Sequence, residues 1–178
     1  MASSDKKPSL ILVIGVSGSG KSTIAQQLAQ RHSLRYLDAD DFHNEENKTW
    51  MASGKALTDE MRIPWVNSMR EYLQQLAAEQ QSCTLAFSGL RRAHRNRLQL
   101  PAFQQITLFL KGSAEHIMPR MQARQNHFMP PNLLQSQFAA LESPENEPGV
   151  WTIDIQQSVD ECVEQASRLL QSTVAIDT

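Results

Sequence analysis

Short apolar runs alternate along this chain with longer segments in which apolar residues recur every three or four positions. The short runs predict five strands, at residues 9–14, 34–38, 83–87, 106–110 and 150–155. The longer segments predict helices at residues 24–31, 45–53, 91–98, 115–125, 133–141 and 159–170, and another that begins at Thr58-Asp59 and carries an apolar stripe to Leu76. Strands that alternate with helices are typical of βαβ units, so the pattern predicts an α/β fold around a mainly parallel sheet.

Length and composition favour one ordinary globular unit. The chain has 178 residues, of which 40% are hydrophobic and 20% charged, and we expect a single domain over residues 1–178. A net charge of −2 gives no electrostatic footprint for nucleic acid or an anionic membrane. No apolar run approaches the ~20 residues that span a bilayer, and residues 1–8 do not resemble a signal peptide. With two distant cysteines, expected as buried free thiols, we predict a cytoplasmic protein.

A glycine-rich segment directly after the first predicted strand carries the clearest chemical signal. It reads Gly15-Val16-Ser17-Gly18-Ser19-Gly20-Lys21-Ser22, the pattern of a phosphate-binding loop between a strand and a helix. Its glycines let successive N–H groups point at phosphate oxygens, beside the positive end of the helix dipole. Lys21 would reach the β- and γ-phosphates of ATP, and the Ser22 hydroxyl would bind Mg²⁺. We therefore expect residues 15–23, Thr23 included, to bind the nucleotide.

Carboxylates follow the second predicted strand, at the end where open α/β sheets bind ligands. Alternation along an extended chain predicts Asp38 and Asp40 on the same side, facing the phosphate-binding loop. One carboxylate could orient Mg²⁺ or its waters, and the other could accept a proton from an attacking hydroxyl. The alternative is turn and helix-cap chemistry, which we favour for Asp41.

Arginines form a second group of candidates, because phosphoryl transfer is catalysed mainly by positioning and electrostatics. Arg120 and Arg124 precede a predicted loop at residues 125–131 and suit a lid that closes over the nucleotide. Other arginines that follow helix or strand ends could clamp an anionic substrate or lie on the solvated surface: Arg62, Arg91, Arg92 and Arg95.

Several segments beyond the loop resemble the gluconokinases of the small P-loop kinase group. They are Asp38-Ala39-Asp40-Asp41-Phe42-His43 with Asn47, Met51-Ala52-Ser53-Gly54, Leu57-Thr58-Asp59 with Arg62-Ile63-Pro64-Trp65, Ser88-Gly89-Leu90-Arg91-Arg92, and His127-Phe128-Met129-Pro130-Pro131 followed by Ser136-Gln137-Phe138. The resemblance implies transfer of the ATP γ-phosphate to the 6-hydroxyl of D-gluconate. It also implies a three-layer sandwich like that of shikimate kinase, with five parallel strands, a mobile lid at about residues 120–138, and a homodimer.

The resemblance assigns roles to individual positions. Asp40 would contact the substrate hydroxyls and act as the base, with Lys21 and Arg124 also catalytic. Ser22 and Asp38 would hold Mg²⁺, and Arg120 would contact the nucleotide. The sugar-acid site would be formed by His43, Arg62, Ser88, Gly89, Leu90, Arg92 and His127, with Arg62 on the carboxylate.

Some positions depart from the family pattern. Trp50 stands where a lysine is usual and Met61 where an acidic residue is usual, and Gly89, Arg91, His94, Asn96 and Gln125-Asn126 also differ. Two alternatives therefore stay open beside gluconate phosphorylation: a kinase of a related sugar acid, and a nucleotide-binding protein without turnover. A kinase of another hydroxyl substrate, such as shikimate or a nucleoside monophosphate, is a third.

Overall fold

Five parallel strands form one sheet in the order β2-β3-β1-β4-β5. The structure, a computed structural model, describes residues 6–122 and 131–174. The strands are β1 (Ser9–Ile14), β2 (Arg35–Asp38), β3 (Cys83–Phe87), β4 (Gln104–Lys111) and β5 (Val150–Asp154). β1 lies at the centre and pairs in parallel with β3 and β4. The predicted α/β fold with five parallel strands is confirmed.

Helices cover both faces of the sheet. They are α1 (Lys21–Arg31), α2 (Glu45–Ala52), α3 (Asp59–Ala78), α4 (Arg92–Arg97), α5 (Ala114–Gln122), α6 (Pro131–Ala140) and α7 (Val159–Thr173). The side chain of Thr58 caps α3 by accepting from the Met61 N–H at 3.1 Å. Ser158 caps α7 in the same way. None of the helices in the described ranges is long and apolar enough to cross a membrane.

Two apolar cores follow from the alternation along β1. Ile11 and Val13 face one core, which contains buried residues of α1, α5, α6 and α7. Leu10, Leu12 and Ile14 face the other, which contains the apolar stripe of α3. Because both faces of β1 are covered, its run of six residues is buried throughout, which explains why it reads as continuously apolar. Both cysteines are buried free thiols, as predicted.

The chain differs from the prediction directly after β2. Residues Ala39–Phe42 form a 3-10 helix, so the extended conformation predicted through Asp40 is wrong. Asp38 caps this helix: its Oδ1 accepts from the Asp40 N–H at 2.9 Å. Asp38, and not Asp41, is therefore the capping residue. Strand alternation ends at Asp38, so it no longer places the Asp40 carboxylate on the same side as that of Asp38.

Candidate functional site

The loop between β1 and α1, called here the phosphate loop (residues 15–22), is shaped by glycines in left-handed conformations. Gly18 has φ +81, and a Cβ there would lie 2.5 Å from Met121 Cγ in α5. Gly20 has φ +95 and forms the N-terminal boundary of α1. Other residues would be strained at both positions, and at Gly18 they would also collide with α5. The loop therefore holds a tight curve whose conformation depends on glycine.

Polar groups of the loop fit an anion. The Lys21 ammonium donates to the Val16 carbonyl at 3.1 Å, which folds this side chain back along the loop. The Ser19 hydroxyl is buried and has no hydrogen-bond partner among the described atoms. The first N–H groups of α1 open toward the same loop, at the positive end of the helix dipole. Together these donors match a polyphosphate, which is the ligand that such loops bind.

Asp38 is held at the edge of this loop by three donors. Its Oδ2 accepts from the Ser22 hydroxyl at 2.9 Å and from the Tyr36 hydroxyl at 2.9 Å, while Oδ1 accepts from the Asp40 N–H. Burial, followed by the hydrogen bond to Asp38, raises the pKa of Tyr36 to about 12, so this phenol stays a donor.

The hydroxyl of Ser22 and the carboxylate of Asp38 are oxygen ligands of the kind Mg²⁺ prefers. Within the described part of the chain no three His, Cys, Asp or Glu side chains cluster to hold a metal on their own. The donor set therefore fits Mg²⁺ that is held mainly by phosphate oxygens and water, with Ser22 and Asp38 at one side.

Asp40 and His43 lie side by side in very different surroundings. The Asp40 side chain is 84% exposed, and its Oδ1 is 4.0 Å from Nε2 of His43, whose side chain is 4% exposed. The His43 ring stacks on Trp65 with centroids 4.3 Å apart. Burial, with smaller contributions from Lys48 and Arg62, lowers the pKa of His43 to about 4. A neutral imidazole edge thus borders a solvent-facing carboxylate, and only that edge of His43 could meet a substrate.

Arg62 and Arg91 share one carboxylate. Asp59 Oδ1 accepts from Arg62 Nη1 at 3.1 Å and from Arg91 Nε at 3.4 Å. The Arg62 side chain is mostly buried, whereas Asp59 is exposed. Two guanidinium groups on one carboxylate leave a net positive charge, which favours an anion in this place.

A buried arginine, Arg95, holds the turn that directly follows β3. Arg95 Nη1 donates to the carbonyls of Gly89 at 2.6 Å and of Leu90 at 3.2 Å. Its Nε and Nη2 bind both carboxylate oxygens of Glu147. Arg95 therefore does not clamp a substrate: it holds the turn at Ser88–Leu90 and links it to the 141–149 loop.

The remaining predicted residues fall in three places. Arg92 is exposed and lies 3.5 Å from Glu147. The Leu90 side chain is buried in the core, so only its backbone could line a site. Arg120 donates to the Ile155 carbonyl at 2.8 Å, beside the end of β5. Arg124 and His127 lie outside the described residues, as do residues 123–130 of the predicted lid, whereas residues 131–138 belong to α6.

The phosphate loop with Ser22 lies beside Asp38 and Ser88, at the carboxyl ends of the parallel strands. The Gly15 N–H donates to the Ser88 carbonyl at 3.2 Å, which joins the loop to the β3 exit. Three contributors were missed from the sequence: Tyr36, Gln137 and the Arg95–Glu147 pair. Tyr36 carried a signal, since it is two residues before Asp38 on the same face of β2. Gln137 lies in a segment that resembles the gluconokinases, but its contact with Ser17 and the Arg95–Glu147 pair each join distant segments and had no local signal.

Known proteins resemble this chain over nearly its whole length. A family model described as an AAA domain matches residues 10–144. A probable gluconokinase of Mus musculus is 37% identical over 171 residues, which cover 86% of this chain and 93% of that protein. The crystal structure of a sugar kinase from Janibacter has a TM-score of 0.87 at 39% identity, covering 96% of this chain and 99% of that one. A gluconokinase from Sinorhizobium meliloti has a TM-score of 0.83 at 34% identity, covering 94% and 96%.

Proposed function

The chain belongs to the gluconokinase family, and from this premise we propose that it transfers the γ-phosphate of ATP to the 6-hydroxyl of D-gluconate. The products are ADP and 6-phospho-D-gluconate. The observation that carries the proposal is the near full-length match to gluconokinases in both sequence and structure. The geometry supports it, because the Asp38 carboxylate at the end of β2 accepts from Ser22 of the phosphate loop, at the carboxyl ends of the parallel strands.

On the nucleotide side, we assign the phosphates to the N–H groups of residues 15–23 and to Lys21. Lys21 would exchange its bond to the Val16 carbonyl for phosphate oxygens. Ser22 and Asp38 would hold Mg²⁺, which neutralises phosphate charge when bound. Arg120 and Arg124 would add positive charge next to the negatively charged phosphates, as the family resemblance implies.

On the acceptor side, Asp40 is the proposed base. Its exposed carboxylate can accept the proton of the 6-hydroxyl while the oxygen forms a bond to the γ-phosphorus and the bond from that phosphorus to the β-phosphate oxygen breaks. Arg62, supported by Asp59, would bind the sugar-acid carboxylate. His43, Ser88, Gly89, Leu90, Arg92 and His127 are the proposed lining of the sugar site.

The test is a direct comparison of acceptors. ADP release by the purified protein is measured with ATP, Mg²⁺ and D-gluconate, and in parallel with other aldonates, shikimate and nucleosides, and the product is identified by ³¹P NMR. We expect D-gluconate to give the highest kcat/KM and a phosphate monoester at the 6-position. Preference for another aldonate would establish the related sugar-acid kinase instead. ATP binding without transfer to any sugar acid would contradict both.

The sequence also predicts a homodimer and a cytoplasmic location, with no nucleic-acid or membrane partner. These stay proposals. Light scattering after gel filtration measures the mass in solution, and a mass of one chain would contradict the homodimer.

A further inference from the structure

One side chain of α6 reaches back across the fold to the phosphate loop. Gln137 Oε1 accepts from the backbone N–H of Ser17 at 2.7 Å, and Gln137 Nε2 donates to the Ser17 hydroxyl at 3.0 Å. The two residues are 120 positions apart in the chain. A single primary amide thus engages both the backbone and the side chain of one residue in the middle of the loop.

We propose that Gln137 is a positioning residue for nucleotide binding: it fixes Ser17 and, through it, the curve of the phosphate loop. This inference rests on the proposed function, since it concerns the same loop. The reciprocal pair defines the orientation of the amide, because the carbonyl must face the N–H and the NH₂ must face the hydroxyl. Since the Ser17 oxygen accepts from Gln137, its own hydrogen can donate to an anion.

The contact matters because of where it acts on the loop. Gly18, the next residue, is packed against Ile117 and Met121 of α5. Gln137 adds a second support from α6, whose Leu134 is buried in the same core as those two side chains. The loop is therefore held from two helices before any phosphate arrives. Such preorganisation improves binding by reducing the ordering that the ligand must impose.

The amide is also suited to this place by its charge. A glutamine supplies one acceptor and one donor group without net charge, so it neither repels a phosphate nor competes with Lys21 for it. A carboxylate at position 137 would keep an acceptor for the Ser17 N–H but place a negative charge beside the loop. The Gln137→Glu variant should therefore bind a triphosphate more weakly than Gln137→Ala does.

Three measurements on Gln137→Ala test the proposal, the first two of them without any sugar acid. The dissociation constant for ATP, measured by calorimetry, should rise by up to about tenfold, because ATP would then have to impose the loop order that these two hydrogen bonds supply in the free protein. In the nucleotide-free protein, NMR should show faster amide exchange at Ser17, while the Ile24 amide of α1, bonded to Gly20, is unchanged. In kinetics the KM for ATP should rise while the KM for the sugar acid stays constant.

The matched control is Gln135→Ala, the same truncation at an exposed position of the same helix. It should leave the ATP dissociation constant and the Ser17 exchange rate unchanged. The proposal is overturned if Gln137→Ala lowers only the unfolding temperature and binds ATP like the control. Absence of ATP binding by the unsubstituted protein would overturn the proposed function as well, which distinguishes the two failures.

Discussion

The two halves of the candidate site are built in different ways. The nucleotide side consists of the phosphate loop with Tyr36 and Asp38, and most of it comes from one continuous segment. The proposed acceptor side consists of Asp40, His43, Arg62 and residues 88–92, which come from three separate segments. The nucleotide side depends on backbone conformation, whereas the acceptor side depends on which side chains distant elements bring together. Phosphate chemistry is therefore specified locally and acceptor chemistry by packing.

Charge is also arranged differently in the two halves. Asp38 receives three donors at the edge of the loop. On the acceptor side, Arg62 and Arg91 share Asp59, and Arg95 is committed to Glu147. The acceptor side thus contains arginines that look equivalent in sequence but serve different purposes. Substitutions on the nucleotide side should therefore affect ATP or Mg²⁺, whereas substitutions on the acceptor side should affect the sugar acid.

The largest effect is expected from Lys21→Ala on the nucleotide side. Removing the ammonium deprives the phosphates of a charge that stabilises the transition state, and kcat/KM should fall by about 10³–10⁵-fold. The measurement is steady-state ADP release at saturating sugar acid, and Lys21→Arg, which keeps a charge, should lose less. A fall of only about tenfold would mean that the loop amides suffice, and would contradict the role given to this lysine.

Asp40→Asn tests the acceptor side with a comparable loss of charge. The amide cannot take the hydroxyl proton, so kcat should fall by about 10²–10³-fold. The dissociation constant for ATP should stay unchanged, because the exposed Asp40 carboxylate would contact the acceptor hydroxyl and not the nucleotide. Asp41→Asn, an exposed neighbour in the same 3-10 helix, is the matched control. Equal losses in both variants would point to the 3-10 helix as a whole and not to a base at Asp40.

Arg95→Met should separate a structural arginine from the exposed Arg92. Removing Arg95 takes the buried two-point partner from Glu147 and a donor from the carbonyls of Gly89 and Leu90, and the free energy of unfolding should fall by about 3 kcal/mol. Arg92→Met, at a side chain that is 60% exposed, should change stability by no more than about 0.5 kcal/mol. Urea denaturation measures both. If Arg92→Met is less stable than Arg95→Met, the structural role assigned to Arg95 is contradicted.

The sequence predicted β1 and β3 well because their apolar runs are buried on both faces of a parallel sheet. The phosphate loop could also be predicted from the sequence, because the glycines that its tight curve requires lie within one short segment. The 3-10 helix at Ala39–Phe42 was missed because the Asp38 cap outcompetes strand extension there. The burial of Arg95 and the reach of Gln137 were not predictable, because each depends on a partner that the fold brings from far along the chain.

The buried imidazole of His43 should make stability depend on pH. Its folded pKa of about 4 lies below the ordinary value of 6.5, so the unfolded chain takes up this proton first as the pH falls. Stability should therefore decrease from about pH 6.5 toward pH 4, by about 3 kcal/mol from this group. His43→Phe, which can still stack on Trp65, should remove that part of the decrease. The free energy of unfolding of both proteins is measured by urea denaturation at each pH. If it falls with pH to the same extent in both, the assignment to His43 is contradicted.

The smallest effect is expected from Tyr36→Phe, which removes one of the three donors to Asp38 and leaves the ring in place. A neutral hydrogen bond of this kind contributes about 1 kcal/mol, so the Mg²⁺ concentration for half-maximal activity should rise about threefold to fivefold. ATP binding in EDTA should not change, because the loop amides are untouched. Tyr72→Phe, at the only other tyrosine of the chain, is the matched control. If Tyr36→Phe instead lowers the Mg²⁺ requirement, the proposed orienting role of the phenol toward Ser22 is contradicted. The phenol would then act by weakening the negative charge of Asp38, because a more negative carboxylate attracts the cation more strongly.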